Sequence, residues 1–398
     1  HPDYYERKTR RGGEGVAVLE QYVEVGRRRL RCGYTTGTCA AAAAGAAAEF
    51  LLSKRWPEIV VIDTPSGIAV SVEIEETRAA ENSARCGARK DGGDDIDATD
   101  GMMIFCEVAL QKEPGALILG GEGVGRVTKP GLDQPPGEAA INTTPRRMIA
   151  EQMRLAAGRY GYGGGFCVTV SAPEGERRAP RTYNPVLGVT GGISILGTGG
   201  IVRPMSEAAI VDTIRAEIHV KAAEGLRDLI LTPGNIGAAY AHSLMLDMAH
   251  AAECSNHIGE AIDFAALEGF QSVLLVGHAG KLVKVASGVM NTHSRYADCR
   301  METLCAHAAL CGAKQEVIAG VMACVAVDEA IEILERANLR EPVIASVMEK
   351  MEQHLKRRAW PELEIGAVMF TEKHGLLGKT KEADALLRRH PAIEGETE

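Results

Sequence analysis

Glycine-rich turns that run straight into the starts of helices recur along this chain and limit what it can fold into more than any other feature. Gly33-Tyr34-Thr35-Thr36-Gly37-Thr38 precedes an alanine-rich tract at residues 40–48. Thr38 reads as the N-cap, and the alanines supply a face small enough for close packing. Free N–H groups at such a turn can hold an anion. A capped helix buried against a sheet accounts for the same residues.

The second turn, residues 90–101 (KDGGDDIDATDG), puts five aspartates into ten positions. An EF-hand counted from Asp95 would need glycine where Asp100 stands and glutamate where Cys106 stands, so the loop is not one. Crowded carboxylates repel one another. The loop is therefore solvated, holds a cation, or uses a carboxylate in chemistry, with Asp94 and Asp95 as the candidates. The third turn, residues 120–131 (GGEGVGRVTKPG), lacks the GK[ST] of a phosphate-binding loop.

Cations stand where helices begin. Asn142-Thr143-Thr144-Pro145 reads as a cap followed by a first-turn proline, which puts Arg146 and Arg147 in the first helical turn. Arg203 precedes a helix that Ser206 would cap. Gly277-His278-Ala279-Gly280-Lys281-Leu282-Val283-Lys284 follows an apolar run, and Lys281 and Lys284 share one helical face. Positive charge there opposes the helix dipole. Three such sites point to a ligand carrying several negative charges.

Order along the chain divides it into two halves. Alternating runs at 59–62, 69–74 and 103–109 read as strands, with helices at 39–54 and 145–157, an α+β pattern. From about 188 onward, apolar runs at 193–196, 229–231, 273–276 and 365–370 alternate with helices, as in a parallel sheet wrapped by helices. A helix over 206–224 carries Ile210, Ile214 and Ile218 at core spacing. Residues 301–358 read as largely helical, and those after about 392 as a frayed tail. The expected division is an extension at 1–29, an α+β domain at 30–187, and an α/β domain with a small parallel sheet and a helical C-terminal part at 188–398.

Composition excludes several functions. The hydrophobic share of 45% and charged share of 24% are those of a globular chain. The net charge of -9 and 4% aromatics argue against nucleic-acid binding. Ten cysteines without a CxxC pair read as reduced thiols, neither a disulfide framework nor a zinc site. The alanine tract is too short to span a bilayer. His1 in place of Met reads as a trimmed or tagged chain, and residues 1–12 are basic and polar without the apolar core of a signal peptide. The expected compartment is the cytoplasm.

In the second half, Gly197-Thr198-Gly199-Gly200 follows the run 193–196 like a shortened dinucleotide turn. The next run ends at Thr232-Pro233-Gly234-Asn235 with no acid for a ribose hydroxyl, so NAD is not expected. An adenosine-containing ligand remains compatible, with Asn235 in place of the acid.

Six segments in order, residues 32–44 (CGYTTGTCAAAAA), 90–101, 121–132 (GEGVGRVTKPGL), 137–149 (GEAAINTTPRRMI), 191–206 (GGISILGTGGIVRPMS) and 277–288 (GHAGKLVKVASG), resemble the cobalt-precorrin-5B (C-1)-methyltransferase family, CbiD. The resemblance covers about residues 30–300. It departs at Gly199, where a threonine is expected, and at Asp100, often a histidine, so neither side chain is expected to be an indispensable chemical group.

The resemblance implies a two-domain fold and S-adenosyl-L-methionine-dependent methylation of carbon 1 of cobalt-precorrin-5B, giving cobalt-precorrin-6A in anaerobic cobalamin biosynthesis. Cobalt would enter only within the substrate; no metal ligands are assigned. The corrinoid's carboxylate rim suits Arg126, Lys129, Arg146, Arg147, Arg203, Lys281 and Lys284, with His293 as a further contact. His278, with Asp94 or Asp95 as alternatives, is the candidate for moving a proton.

The donor is expected between the domains, over Gly197, Thr198, Gly199 and Gly200 and over Gly234, Asn235 and Gly237. Thr35, Thr36, Gly37 and Thr38 form the rival location. Expected partners are the small-molecule corrinoid, a second copy of the chain and, transiently, neighbouring pathway enzymes; nucleic acid and membrane are not among them. A small-molecule kinase cradling ATP phosphates and a non-catalytic corrinoid-binding protein are the competing readings.

Overall fold

A computed structural model describes residues 19–391. The basic segment 1–12 and the tail after 392 lie outside the described residues. The chain divides into two compact units between Glu207 and Ala208. That is twenty residues beyond the expected boundary at 188, because residues 188–202 pair with the first unit: Val189–Thr190 with Arg126–Val127, and Ile201–Val202 with Gly33–Tyr34.

In the first unit a hairpin, β1 (Tyr22–Val25) and β2 (Arg28–Arg31), falls partly within the expected extension and leads into β3 (Gly33–Tyr34) and α1 (Thr36–Ser53). A second hairpin follows, β4 (Ile59–Asp63) and β5 (Ala69–Glu73). The main sheet is built from β6 (Glu75–Ala79), β7 (Ser83–Arg89), β8 (Met103–Gln111) and β9 (Gly115–Gly120). After β10 (Arg126–Val127) and α2 (Thr143–Tyr160), β11 (Gly165–Ser171) completes it in the order β6-β7-β8-β11-β9. Short helices α3 (Gly175–Arg178) and α4 (Asn184–Leu187) and the strands β12 (Val189–Thr190) and β13 (Ile201–Val202) close the unit. Helix α1 is buried along almost its whole length, which is why nearly every side of it is alanine, glycine or cysteine. The Cys86 and Cys106 thiols donate to the Ala43 and Ala40 carbonyls, so α1 lies directly on β7 and β8.

The second unit begins within α5 (Glu207–Ala223), where Ile214 and Ile218 are buried but Ile210 is 42% exposed, contrary to the core spacing expected of it. Then follow β14 (Asp228–Thr232), α6 (Asn235–Ser243), β15 (Ala251–Glu253), α7 (Ile258–Leu267), β16 (Ser272–His278) and α8 (Ala279–Val285). A helical stretch comprises α9 (Arg300–Leu310), α10 (Gln315–Met322), α11 (Val327–Arg336) and α12 (Arg340–Arg358). The unit ends with β17 (Glu364–Thr371), β18 (Gly375–Lys379) and α13 (Ala383–Leu387). The sheet order is β15-β14-β16-β17-β18, parallel except for β18.

Its two faces carry separate cores. Leu229, Leu231, Val273 and Leu275 pack with α5, α7, α8 and the helical stretch, whereas Ile230, Leu274 and Val276 pack with α6 and α13. Buried on both sides, these strands read as continuous apolar runs. No helix among the described residues is long and apolar enough to cross a membrane.

Residues 193–196 are not a strand of this sheet. They lie in the first unit and make only single bridges, Ile193 to Val124 and Ile195 to Ile141. A four-residue apolar run before a glycine turn imitates a strand ending, but here it lines the start of α1.

Candidate functional site

The turn at the start of α1 is closed. Thr35, not Thr38, is the N-cap, its Oγ1 accepting from the Thr38 N–H at 3.3 Å. The Gly37 N–H donates to Leu196 O at 3.1 Å, the Thr35 N–H to Gly200 O at 3.1 Å, and Thr38 Oγ1 to Gly200 O at 2.7 Å. Thr36 Oγ1 accepts from the Leu196 N–H at 3.0 Å. A Cβ on Gly197 would lie 2.3 Å from Thr35 Oγ1, and one on Gly37 2.7 Å from Pro145 Cγ. The two stretches assigned to the donor in this unit therefore bind each other, and the phosphate cradle needed by a kinase loses its donors. Thr198 is exposed at the rim, and Gly199 O accepts from the Ser66 N–H.

The third turn is also architectural. A Cβ on Gly123, at φ +69, would lie 1.8 Å from Ala172 O, and one on Gly192 would lie 2.2 Å from Gly123 O. Glycine is needed there so that backbones can touch.

The aspartate loop is spent on its own backbone and on two cations. Arg31 bridges both oxygens of Asp91 at 2.6 and 2.7 Å. Burial pushes the Asp91 carboxyl up, but the Arg31 guanidinium and the Gly93 N–H outweigh it and hold the group below its usual range. Lys90, almost fully buried, donates to Asp97 at 2.5 Å. Asp94 accepts from the Arg31 N–H at 2.6 Å, Asp95 from the Met205 N–H at 3.0 Å, and Asp100 from the Gly92 N–H at 2.7 Å. Asp94 and Asp95 thus fasten the loop to its neighbours. No group of three metal-ligating side chains occurs among the described residues.

The cations divide sharply. Helix α2 starts at Thr143, so Pro145 is its third residue, and Asn142 makes no side-chain cap bond; Asp133 accepts from the Thr143 N–H instead. Arg146 donates to the Ile141 and Ile118 carbonyls, and Arg126 to Gly137 O. Lys284 is 4% exposed and donates to Thr292 O and Ala297 O at 3.0 Å each, which removes it from any substrate surface. The shared helical face of Lys281 and Lys284 turns toward backbone carbonyls, which accept hydrogen bonds from both ammonium groups. Lys129 packs its stem beside Gly188. Arg147 and Arg203 are exposed. His293, also exposed, accepts from the Arg295 N–H.

The second unit brings its candidates together at the C-terminal ends of β14, β15 and β16. Adjacent strands β14 and β16 send their connections to opposite faces of the sheet, α6 to one and α8 to the other, and open α/β sheets bind ligands in the crevice such a reversal creates. Gly234, at φ +97, makes the turn into α6. Gly237 lets α6 approach β16, since a Cβ there would lie 2.8 Å from Val276 O. In contrast to α1, the start of α6 is open: it has no side-chain cap, and the N–H groups of Asn235, Ile236 and Gly237 have no acceptor among the described residues.

Opposite stands α8. His278 caps it, Nδ1 accepting from the Gly280 N–H at 3.0 Å. With Nδ1 accepting, the neutral tautomer carries its proton on Nε2, so His278 cannot act as a base through Nδ1 without losing the cap. Lys281 Nζ spends two of its three N–H groups on Pro233 O at 2.9 Å and Ser255 O at 3.1 Å. Burial pushes this ammonium below its usual range, partly offset by Cys254 and Glu253.

Glu253 is the residue that sequence reasoning missed. It ends β15 directly beside Thr232 in the parallel register. With residues 193–196 read as the first strand, the run 229–231 becomes the second and lacks an acid. It is the first strand of the sheet; the second is the three-residue β15, and it ends in an acid. The available signal was glutamate about 20 residues after the glycine of the turn.

Residues 23–204 match the CbiD family and residues 291–381 the CbiD C-terminal domain. The chain is 48% identical over 356 residues to the cobalt-precorrin-5B C(1)-methyltransferase of Ruminiclostridium cellulolyticum, covering 89% of this chain and 92% of that one. It is 39% identical to the protein of that name from Thermoanaerobacter sp., covering 92% and 99% of the two chains. For the Salmonella typhimurium protein of that name the identity is 40%, with coverage of 91% and 95%. A crystal structure of the cobalamin biosynthesis protein CbiD from Archaeoglobus fulgidus is 30% identical, covers 69% of this chain and 86% of that one, and superposes at a TM-score of 0.38. With relatives 48%, 39% and 40% identical over 89%, 92% and 91% of its length, the chain belongs to the CbiD family.

Proposed function

We propose that this protein methylates carbon 1 of cobalt-precorrin-5B with S-adenosyl-L-methionine as donor, giving cobalt-precorrin-6A on the anaerobic route to cobalamin, in the cytoplasm. The observation that carries the reading is the 48% identity to a methyltransferase of that name over 89% of the chain. Cobalt belongs to the substrate.

In this reading the bond between methyl and sulfur breaks with its electron pair left on sulfur, and a bond to carbon 1 forms from the conjugated ring. The donor is already activated, so no nucleophile from the protein is required. Catalysis then consists chiefly of holding donor and acceptor in line, an effect worth roughly 7–11 kcal/mol. The crevice of the second unit suits an adenosyl donor, the open N–H groups of α6 being fit for a carboxylate. Arg147 and Arg203 are exposed, and their charge suits the corrinoid's carboxylates.

Anaerobic incubation of the protein with cobalt-precorrin-5B and methyl-13C-labelled donor tests this. The label is expected as a methyl group on carbon 1 by NMR. No transfer, or label on another carbon, contradicts the proposal.

A further inference from the structure

Around Gly234 the second unit assembles more than a glycine turn. The strand–helix–strand run β14–α6–β15 places Glu253 beside Thr232 at the edge where β14 ends. Viewed from where a Cβ on Gly234 would stand, Glu253 Oε1 lies at 3.8 Å and Lys281 Nζ at 3.6 Å, so a carboxylate and an ammonium flank a gap kept clear by the missing side chain. The backbone N–H of Glu253 donates to Glu217, yet its own carboxylate has no hydrogen-bond partner among the described residues, although it is half-buried. Neither oxygen is sealed from solvent, so both are open to donors that a ligand brings. Lys281, which ties the loops after β14 and β15 together through Pro233 and Ser255, holds the gap at a fixed width.

We infer that Glu253 is the ribose-binding residue of the methyl donor, its carboxylate accepting from the vicinal 2′- and 3′-hydroxyls while Gly234 lets the sugar lie against the backbone. This rests on the donor reading above and adds the residue and the part of the donor it recognises. Two neighbouring hydroxyls match the two oxygens of one carboxylate, and an acid at the end of the second strand of a strand–helix–strand unit stands where the ribose of an adenosine ligand passes. The same negative charge repels a 2′-phosphorylated ribose, so the site selects against 2′-phosphoadenosine ligands. Lys281 acts as a positioning residue.

Calorimetry on the full chain, with the corrinoid present, compares S-adenosylhomocysteine with its 2′-deoxy analogue. Wild-type protein is expected to bind the deoxy analogue about tenfold more weakly. Glu253→Ala is expected to lose about tenfold for S-adenosylhomocysteine and to bind the two ligands alike. Equal binding of both ligands by the wild type overturns the assignment without needing the variant to fold. Unchanged discrimination in a Glu253→Ala variant with a normal melting profile overturns it as well. In both cases wild-type binding of S-adenosylhomocysteine leaves the donor reading intact. Absence of any wild-type binding overturns both.

Discussion

The Lys281 ammonium donates to the Pro233 carbonyl at 2.9 Å. Its second bond, to Ser255 O at 3.1 Å, joins two loops that follow different strands. Lys281→Met keeps the length of the side chain and removes both bonds. The expected cost is about 2 kcal/mol in a urea melt, with weakened donor binding as the loops separate. A variant of unchanged stability would show that the clamp does not hold the turn.

Two glycine substitutions separate architectural turns from tolerant ones. Gly123→Ala forces a side chain onto Ala172 O at a positive φ, and is expected to cost about 3 kcal/mol or more. Gly199→Thr meets nothing nearer than Ser66 Cβ at 3.7 Å and should change stability by no more than about 0.5 kcal/mol. Thermal melts of the two variants test the contrast; equal melting points would contradict it.

Acid sensitivity follows from His390. Burial, with His250 beside it, pushes its pKa from 6.5 down to about 4, against the opposing pull of Asp228 and Asp247. Between those values the unfolded chain binds a proton that the folded chain excludes, so stability falls as pH drops from 6.5 toward 4. The loss is of order 3 kcal/mol over that window. Urea midpoints across it should decline in the wild type and decline less in His390→Leu; parallel slopes would contradict the account.

The cations separate by a pair of measurements. Lys284→Met leaves the Thr292 and Ala297 carbonyls without their buried donor and should destabilise by about 2–4 kcal/mol. Arg147→Glu reverses an exposed charge, should leave stability unchanged, and should weaken corrinoid binding about threefold to tenfold. Unchanged corrinoid affinity would remove Arg147 from the acceptor surface.

What could be read from the sequence depended on periodicity. The strands near 59, 69 and 103 stand out by alternation, and those near 229, 273 and 365 as apolar runs buried on both faces. Strand β15 does not, because Ala-Ala-Glu carries no apolar run, and residues 193–196 imitate the strand that is missing. That single miscount hid Glu253. The helix-entrance cations were visible, but not their partners: carbonyls brought close by the fold, such as Ile118 O for Arg146 and Ala297 O for Lys284, leave no mark at the cation's own position. Threonines at 35, 36 and 38 were all competent caps, and only the contacts with residues 196 and 200 decide that the helix starts at Thr36.

A crystal structure of the full chain with S-adenosylhomocysteine bound tests the central claim most directly. The account predicts the ligand over Gly234, Asn235 and Gly237, with the ribose hydroxyls within hydrogen-bond distance of the Glu253 carboxylate. A ligand seated instead over Thr35–Thr38 and Gly197–Gly200, with Glu253 untouched, would contradict it.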